Sequence, residues 1–311
     1  MLRALLVAAL LPIAACRSPD AAATPPPPAA AVRVAIAQWQ IRGARAPAQL
    51  ADDVALTAER AAADGAGLLV FPELLAMDCW RRRDGESEAD AARRLADDVT
   101  PVMFAAARDA AEAHGLAILV GGPVVHDGHV RNRELLTFAD GRQVHQDKLF
   151  LTSWERDVGW RSGDELRVFA TPWGTTAIAT CYDVEFPCVT ELLAQRPIDV
   201  LLVPSMTESE HGRQRVRATA AARAVEHHAF VVIAATVGEP APDWRHFGTS
   251  CALAPHDGAF AGELAAAEPD RPQLLFVDLD VPLLRSNRAR SAFAPSVDQR
   301  RRARRLRLGD R

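Results

Sequence analysis

From residue 32 onward the chain consists of short apolar runs separated by turn residues, and the spacing of those runs sets out its elements. Residues 32–39 alternate and predict a strand. Residues 49–64 carry helical spacing, with Leu50, Val54 and Leu56 on one side, and stop before Gly65. Residues 68–71 form a short apolar run closed by Pro72, as expected of a buried strand. Residues 87–95 and 101–114 predict two helices, with Pro101 suited to a first turn and Gly115 to a stop. Residues 117–121 read as another buried strand. Between 124 and 147 the period shortens around His126-Asp127-Gly128 and Ala139-Asp140-Gly141, which predicts antiparallel strands. Residues 167–170 and 175–180 repeat that theme around Pro172-Trp173-Gly174. A helix near 189–194, a strand at 199–203, a helix near 212–228 and strands at 230–235, 248–254 and 274–279 complete the pattern.

Strands that alternate with helices at both ends, with hairpin material between them, point to an α/β chain. The expected architecture is a four-layer α-β-β-α sandwich, two packed sheets flanked by helices, in a single domain.

Composition narrows the function classes. Of 311 residues, 49% are hydrophobic, which excludes disorder throughout. A net charge of −4 gives no overall basic footprint, so nucleic acid is not an expected partner. The charge is uneven, because residues 300–311 hold seven Arg and one Asp. The apolar run at 4–15 is shorter than the roughly 20 residues needed to span a bilayer. It follows Met1-Leu2-Arg3 and ends in Ile13-Ala14-Ala15-Cys16, an arrangement that resembles a bacterial lipoprotein signal. That resemblance implies removal of residues 1–15, lipidation of Cys16 and an envelope location on the periplasmic side. Residues 16–31 are rich in Pro and Ala and read as a tether.

Familiar catalytic motifs are missing: the sequence has no GxSxG elbow, P-loop or GxGxxG. None of the nine histidines falls in HExxH. The adjacent His227 and His228 diverge by about 100° on a helix, so no metal site is expected. Three other residues stand out by position. Glu73 follows the strand at 68–71, where the carboxyl ends of α/β strands gather sites; burial there would raise its pKa and suit it to proton transfer. A surface charge or helix-start residue is the plainer alternative. Lys148 is the only lysine, the other 35 basic residues being arginine. A site that needs a compact point charge would explain its retention, and chance would also do so. Cys181 ends the strand at 175–180; backbone N–H groups at such a transition would lower a thiol pKa and hold an oxyanion. A small buried apolar residue is the alternative.

Together, Phe71-Pro72-Glu73, Lys148-Leu149-Phe150 and Cys181-Tyr182-Asp183-Val184-Glu185-Phe186-Pro187 resemble the nitrilase superfamily of carbon–nitrogen hydrolases. Val231-Val232-Ile233-Ala234 and Gly248-Thr249-Ser250 extend the likeness over residues 32–285. Val203–Thr207 and Arg213–Glu226 resemble a branch sometimes fused to an acetyltransferase. The resemblance implies a nitrilase-type sandwich and a Glu73–Lys148–Cys181 triad. It also implies the Tyr182 backbone as oxyanion donor, Glu155 as an accessory acid, no cofactor, and a homodimer or larger assembly. The implied substrate is a small amide. Leu149 and Phe150 stand where the family often has His, and Cys188 where Glu often follows Pro187. Two other outcomes share these residues: an acyltransferase that passes the thioester to an amine or alcohol, and an inactive envelope binding protein. The expected organisation is signal 1–15, tether 16–31, hydrolase domain 32–298 and Arg-rich tail 299–311.

Overall fold

The computed structural model describes residues 30–302. The signal-like segment, Cys16, nearly all of the tether and the tail from residue 303 lie outside the described residues. The first half contains β1 (Ala31–Gln40), α1 (Pro47–Ala63), β2 (Leu68–Val70), α2 (Glu88–Arg94), α3 (Thr100–His114), β3 (Ala117–His126), β4 (His129–Thr137), β5 (Gln143–Asp147) and α4 (Ser153–Asp157). The second contains β6 (Val168–Thr171), β7 (Gly174–Ile178), α5 (Pro187–Leu193), β8 (Val200–Ser205), α6 (Glu210–His227), β9 (Phe230–Ala241), β10 (Trp244–His246), β11 (Cys251–Asp257) and β12 (Phe260–Ala266). β13 (Gln273–Asp280), α7 (Val281–Arg290) and α8 (Pro295–Arg302) follow.

The strands form one ladder, ordered β5-β4-β3-β2-β1-β9-β8-β7-β6, that curls at its centre. The two halves meet where Trp39 and Gln40 of β1 pair in parallel with Thr236 and Val237 of β9. β13 returns antiparallel along β1, so Val34 faces Val277 across the ladder.

Strand alternation generates the layers. Val34, Ile36, Leu68, Val70 and Leu119 point inward and meet Ile178, Val200, Leu202 and Val232 of the opposite half. The intervening positions Ala35, Leu69, Phe71 and Ile118 pack outward on α1 and α3. On the other side Leu201, Val203, Val231 and Ile233 pack on α5 and α6. The four expected layers therefore each rest on apolar contact.

Some local expectations change. Leu50, Val54, Ala58 and Ala61 form the buried stripe of α1, whereas Leu56 is 56% exposed because it lies about 200° round from Leu50's neighbour Val54. The two helices expected at 87–114 are joined by a wide turn at Leu95–Val99, and Gly115 (φ +70°) caps the end of the second. The strand at 230 runs on to Ala241 and pairs with β10, which carries Trp244. The boundary expected at 298/299 falls inside α8, where the Arg300 guanidinium donates to the Ala194 carbonyl. Among the described residues no helix is long and apolar enough to cross a membrane.

Candidate active site

β2, β5, β7 and β8 all direct their carboxyl ends to the same edge of the ladder. Side chains that follow those ends are brought together although they are far apart in sequence. Glu73 comes three residues after β2, Lys148 directly after β5, Cys181 three residues after β7 and Met206 directly after β8.

Lys148 sits at the centre and is only 2% exposed. Its ammonium donates to Glu73 Oε1 at 2.7 Å and to Glu155 Oε2 at 2.8 Å. Burial opposes its charge, but the two carboxylates outweigh burial and raise its pKa well above the ordinary value, so it stays an ammonium. Asn132, on β4, donates one amide hydrogen set to both acids, at 2.8 Å to Glu73 Oε1 and 2.8 Å to Glu155 Oε1. Glu73 Oε2 accepts the Met206 backbone N–H at 2.9 Å. The acids are then set apart by their surroundings. Burial raises Glu73 above the usual carboxylate range despite Lys148. Glu155 is also penalised by burial, but Lys148, Asn132 and the Thr152 N–H at 2.7 Å hold it lower. Glu155 closes the first turn of α4 through Thr152, which fixes its carboxylate seven residues beyond the lysine it serves.

Cys181 takes the left-handed backbone conformation (φ +47°) at the start of a tight turn, Cys181–Glu185. A β-carbon in that region costs on the order of 1 kcal/mol, so the surrounding packing must hold it there. The buried thiol donates to the Met206 carbonyl at 3.5 Å and lies beside Glu73, both opening onto the same cavity. The lowered thiol pKa expected from the sequence is not found. Burial, reinforced by the negative charge of Glu73, pushes Cys181 well above the ordinary value even with Lys148 nearby. At rest the site therefore holds a thiol beside a carboxylate, rather than a free thiolate. The Cys79, Cys188 and Cys251 thiols are also free, and Cys188 lies exposed.

Asp183 organises the two loops. Its carboxylate accepts the Phe150 N–H at 2.7 Å and the Leu149 N–H at 3.1 Å, thereby tying the Cys181 turn to the segment after Lys148. Burial raises its pKa to about 7, with Lys148 and those N–H groups opposing.

Glu73, Leu74, Lys148, Glu155, Cys181 and Tyr182 open onto one cavity of about 580 Å³. Trp80, Trp154 and Met206 line it, while Trp39 and Trp160 belong to the core. Trp244 also lines it and was not foreseen. Nor were Asn132, Asp183 and Glu134 foreseen. The period-two burial of β4 turns Asn132 and Glu134 toward one face, which is the signal that would have found them.

Glu134 is fully buried, and its carboxyl oxygens have no hydrogen-bond partner among the described residues. It lies over Gly121, where a β-carbon would come within 2.4 Å of its oxygens. Burial, then the charge of Glu73, raises its pKa well above the ordinary value, so it is held as the neutral acid. A folded pKa above the unfolded one gives stability that is present below about pH 4.3 and lost as pH rises through the folded value. Glu134→Gln removes that loss, so above about pH 4.3 its stability relative to wild type is expected to rise with pH, by up to about 1.4 kcal/mol per pH unit. Urea midpoints at several pH values measure this, and identical slopes in variant and wild type would refute a neutral Glu134.

Comparison with known proteins adds family context. The sequence model of one family, described as carbon-nitrogen hydrolase, matches residues 33–289. "Probable hydrolase YhcX" of Bacillus subtilis is 29% identical over 278 residues, which cover 87% of this chain and 54% of that protein. The chain spans about half the length of the curated relatives it matches. An amidase from Nesterenkonia sp. superposes with a TM-score of 0.69 at 24% identity, covering 83% of this chain and 94% of that one. A variant of the amidase from Nesterenkonia sp. AN1 in complex with butyramide gives 0.67 at 23%, with coverage of 83% and 94%. At these identities the solved structures speak to the fold, a mixed α/β sandwich with a curled sheet.

Proposed function

Because the chain belongs to the carbon–nitrogen hydrolase family, we propose that it hydrolyses a small non-peptide amide through a thioester on Cys181. The observation that carries this reading is the buried Glu73–Lys148–Glu155 contact set directly beside the thiol.

An amide carbonyl is a weak electrophile and ammonia a poor leaving group, so attack must be coupled to proton transfer and oxyanion stabilisation. As Sγ bonds to the carbonyl carbon, its proton passes to Glu73, whose raised pKa makes it the stronger base of the two acids. An ammonium has three N–H donors, and Lys148 directs two of them to Glu73 and Glu155. The third and the Tyr182 backbone N–H receive the oxyanion in this reading. Glu73 then gives its proton to the departing nitrogen, the C–N bond breaks, and ammonia or an amine leaves. Water, deprotonated by Glu73, attacks the thioester; the C–S bond breaks, the acid departs and the thiol regains its proton. Glu155 and Asn132 hold Lys148 and Glu73 in register throughout, and no metal or organic cofactor takes part.

The butyramide complex of the Nesterenkonia sp. AN1 amidase supports a small amide as substrate. The branch whose members are sometimes fused to an acetyltransferase fits the Val203–Thr207 and Arg213–Glu226 stretches and the longer Bacillus subtilis relative. The same reading has the domain tethered by lipid on Cys16 to the periplasmic side of a bacterial envelope membrane and working as a homodimer or larger assembly.

Ammonia release from a panel of primary amides tests the reaction, and added amines in the same assay reveal any acyl transfer. Glu73→Gln is expected to lower kcat by about 10²–10⁴-fold while Cys181 still alkylates. Wild-type turnover in that variant would remove Glu73 from the proton path.

A further inference from the structure

The wall of the cavity beyond the reacting groups has a chemistry of its own. Five glutamates line the cavity against one lysine and one arginine. The inner acids each contact a cation, with Lys148 between Glu73 and Glu155 and Arg215 paired with Glu185 at 3.0 Å. Glu88 and Glu208 remain, and each is held by an indole. Trp154 Nε1 donates to Glu88 at 2.7 Å, and Trp244 Nε1 donates to Glu208 at 2.6 Å. An indole N–H is a neutral donor, so it orients a carboxylate without cancelling its charge. Arg82 reaches Glu88 only at 3.8 Å, with both side chains about half exposed, where screening makes such a pair weak. The outer cavity thus carries two oriented carboxylates, each backed by a tryptophan that also lines the cavity.

Oriented carboxylates beside indole rings match an organic cation. The carboxylate supplies charge and a hydrogen-bond acceptor, and the indole N–H fixes its orientation from the other side. The backbone bounds the separation. Met206 touches both the Cys181 thiol and Glu73, and Glu208 lies two residues further along in a bend, at most about 7 Å of backbone away. Resting on the amide hydrolase reading, we propose that the substrate carries an ammonium or guanidinium group, joined to the scissile amide by a short aliphatic spacer. Its carbonyl lies at Cys181 and its cation between Glu208 and Glu88. A carboxylate in the same place would meet like charge, so the cavity selects against acidic amides.

The test compares linear primary amides of equal length ending in a methyl, an ammonium or a carboxylate group, using the full chain. Ammonia release is expected to favour the ammonium amide over the neutral one by at least about tenfold in kcat/KM, with the carboxylate amide slowest. Glu208→Gln and Glu88→Gln should each shrink the ammonium-to-neutral ratio, as should raised salt. Binding to Cys181→Ala, measured by calorimetry, separates the two readings because it needs no turnover. Tighter binding of the ammonium amide there supports the cation site even if no amide in the set is hydrolysed, a result that would count against the hydrolase reading alone. Equal affinity for the ammonium and neutral amides, or a preference for the carboxylate, would overturn the cation site whatever the turnover.

Discussion

Replacing Cys181 with alanine is expected to lower amide turnover by at least about 10⁴-fold and leave a folded protein. The reasoning starts from the backbone. Alanine carries the same β-carbon as cysteine, so the left-handed turn at φ +47° is no more strained in the variant. Only a buried sulfur is lost, from a position that already faces the cavity. The chemistry, by contrast, loses its only covalent handle. Glu73 and Lys148 can still polarise an amide and water, but neither forms the thioester that divides one difficult step into two easier ones. Ammonia release and far-UV circular dichroism, measured on the same preparation, check both halves of this expectation. A native spectrum with undiminished turnover would move the nucleophile elsewhere.

Lys148 gives the second large effect, and two substitutions separate charge from shape. Lys148→Met leaves Glu73 and Glu155 buried around a site with no cation. Breaking a buried ion pair from one side costs about 3–5 kcal/mol, so a lower unfolding midpoint should accompany the loss of turnover. Lys148→Arg keeps the charge but replaces a compact ammonium by a planar fork in a 2%-exposed site. The guanidinium cannot direct single donors to Glu73 and Glu155 at 2.7 and 2.8 Å and keep a third for the oxyanion. Turnover should fall by about 10²–10³-fold, the usual consequence of losing one oxyanion donor. Wild-type rates in Lys148→Arg would show that charge alone is required there.

Much of this arrangement can be read from the sequence because strand ends are legible. A short apolar run that ends at a chemically able side chain marks both the end of a parallel strand and the edge where such strands meet, and Glu73 and Cys181 obey that pattern; Lys148 follows the polar, antiparallel strand β5 and does not. Lys148 was legible for another reason, as the one lysine among arginines. Asn132 and Glu134 were hidden because β4 lies in an antiparallel ladder, where polar residues normally alternate toward solvent; here that alternation faces the site and the interior. Trp244 escaped notice because it follows a turn after a strand that runs longer than its apolar core. The thiol was misjudged for a different reason. A strand-to-turn transition indicates where backbone donors could be, but not how much low-dielectric protein and which neighbouring charge surround the sulfur. Those two terms decide its pKa.

The curled sheet has one more consequence. Glu73, Lys148 and Glu155 belong to one half of the ladder, while Cys181 and Met206 belong to the other. In the proposed mechanism, base and nucleophile thus come from different halves of the ladder, and their separation depends on how Val34, Ile36 and Val70 pack against Ile178, Leu202 and Val232. A shift of about 1 Å between the packed halves would displace the proton acceptor from the sulfur by a similar amount, enough to cost about 10²-fold in rate. The apolar seam therefore acts as the gauge of the reaction. A methyl group lost there is expected to register in the rate of the proposed reaction although it touches none of the reacting atoms.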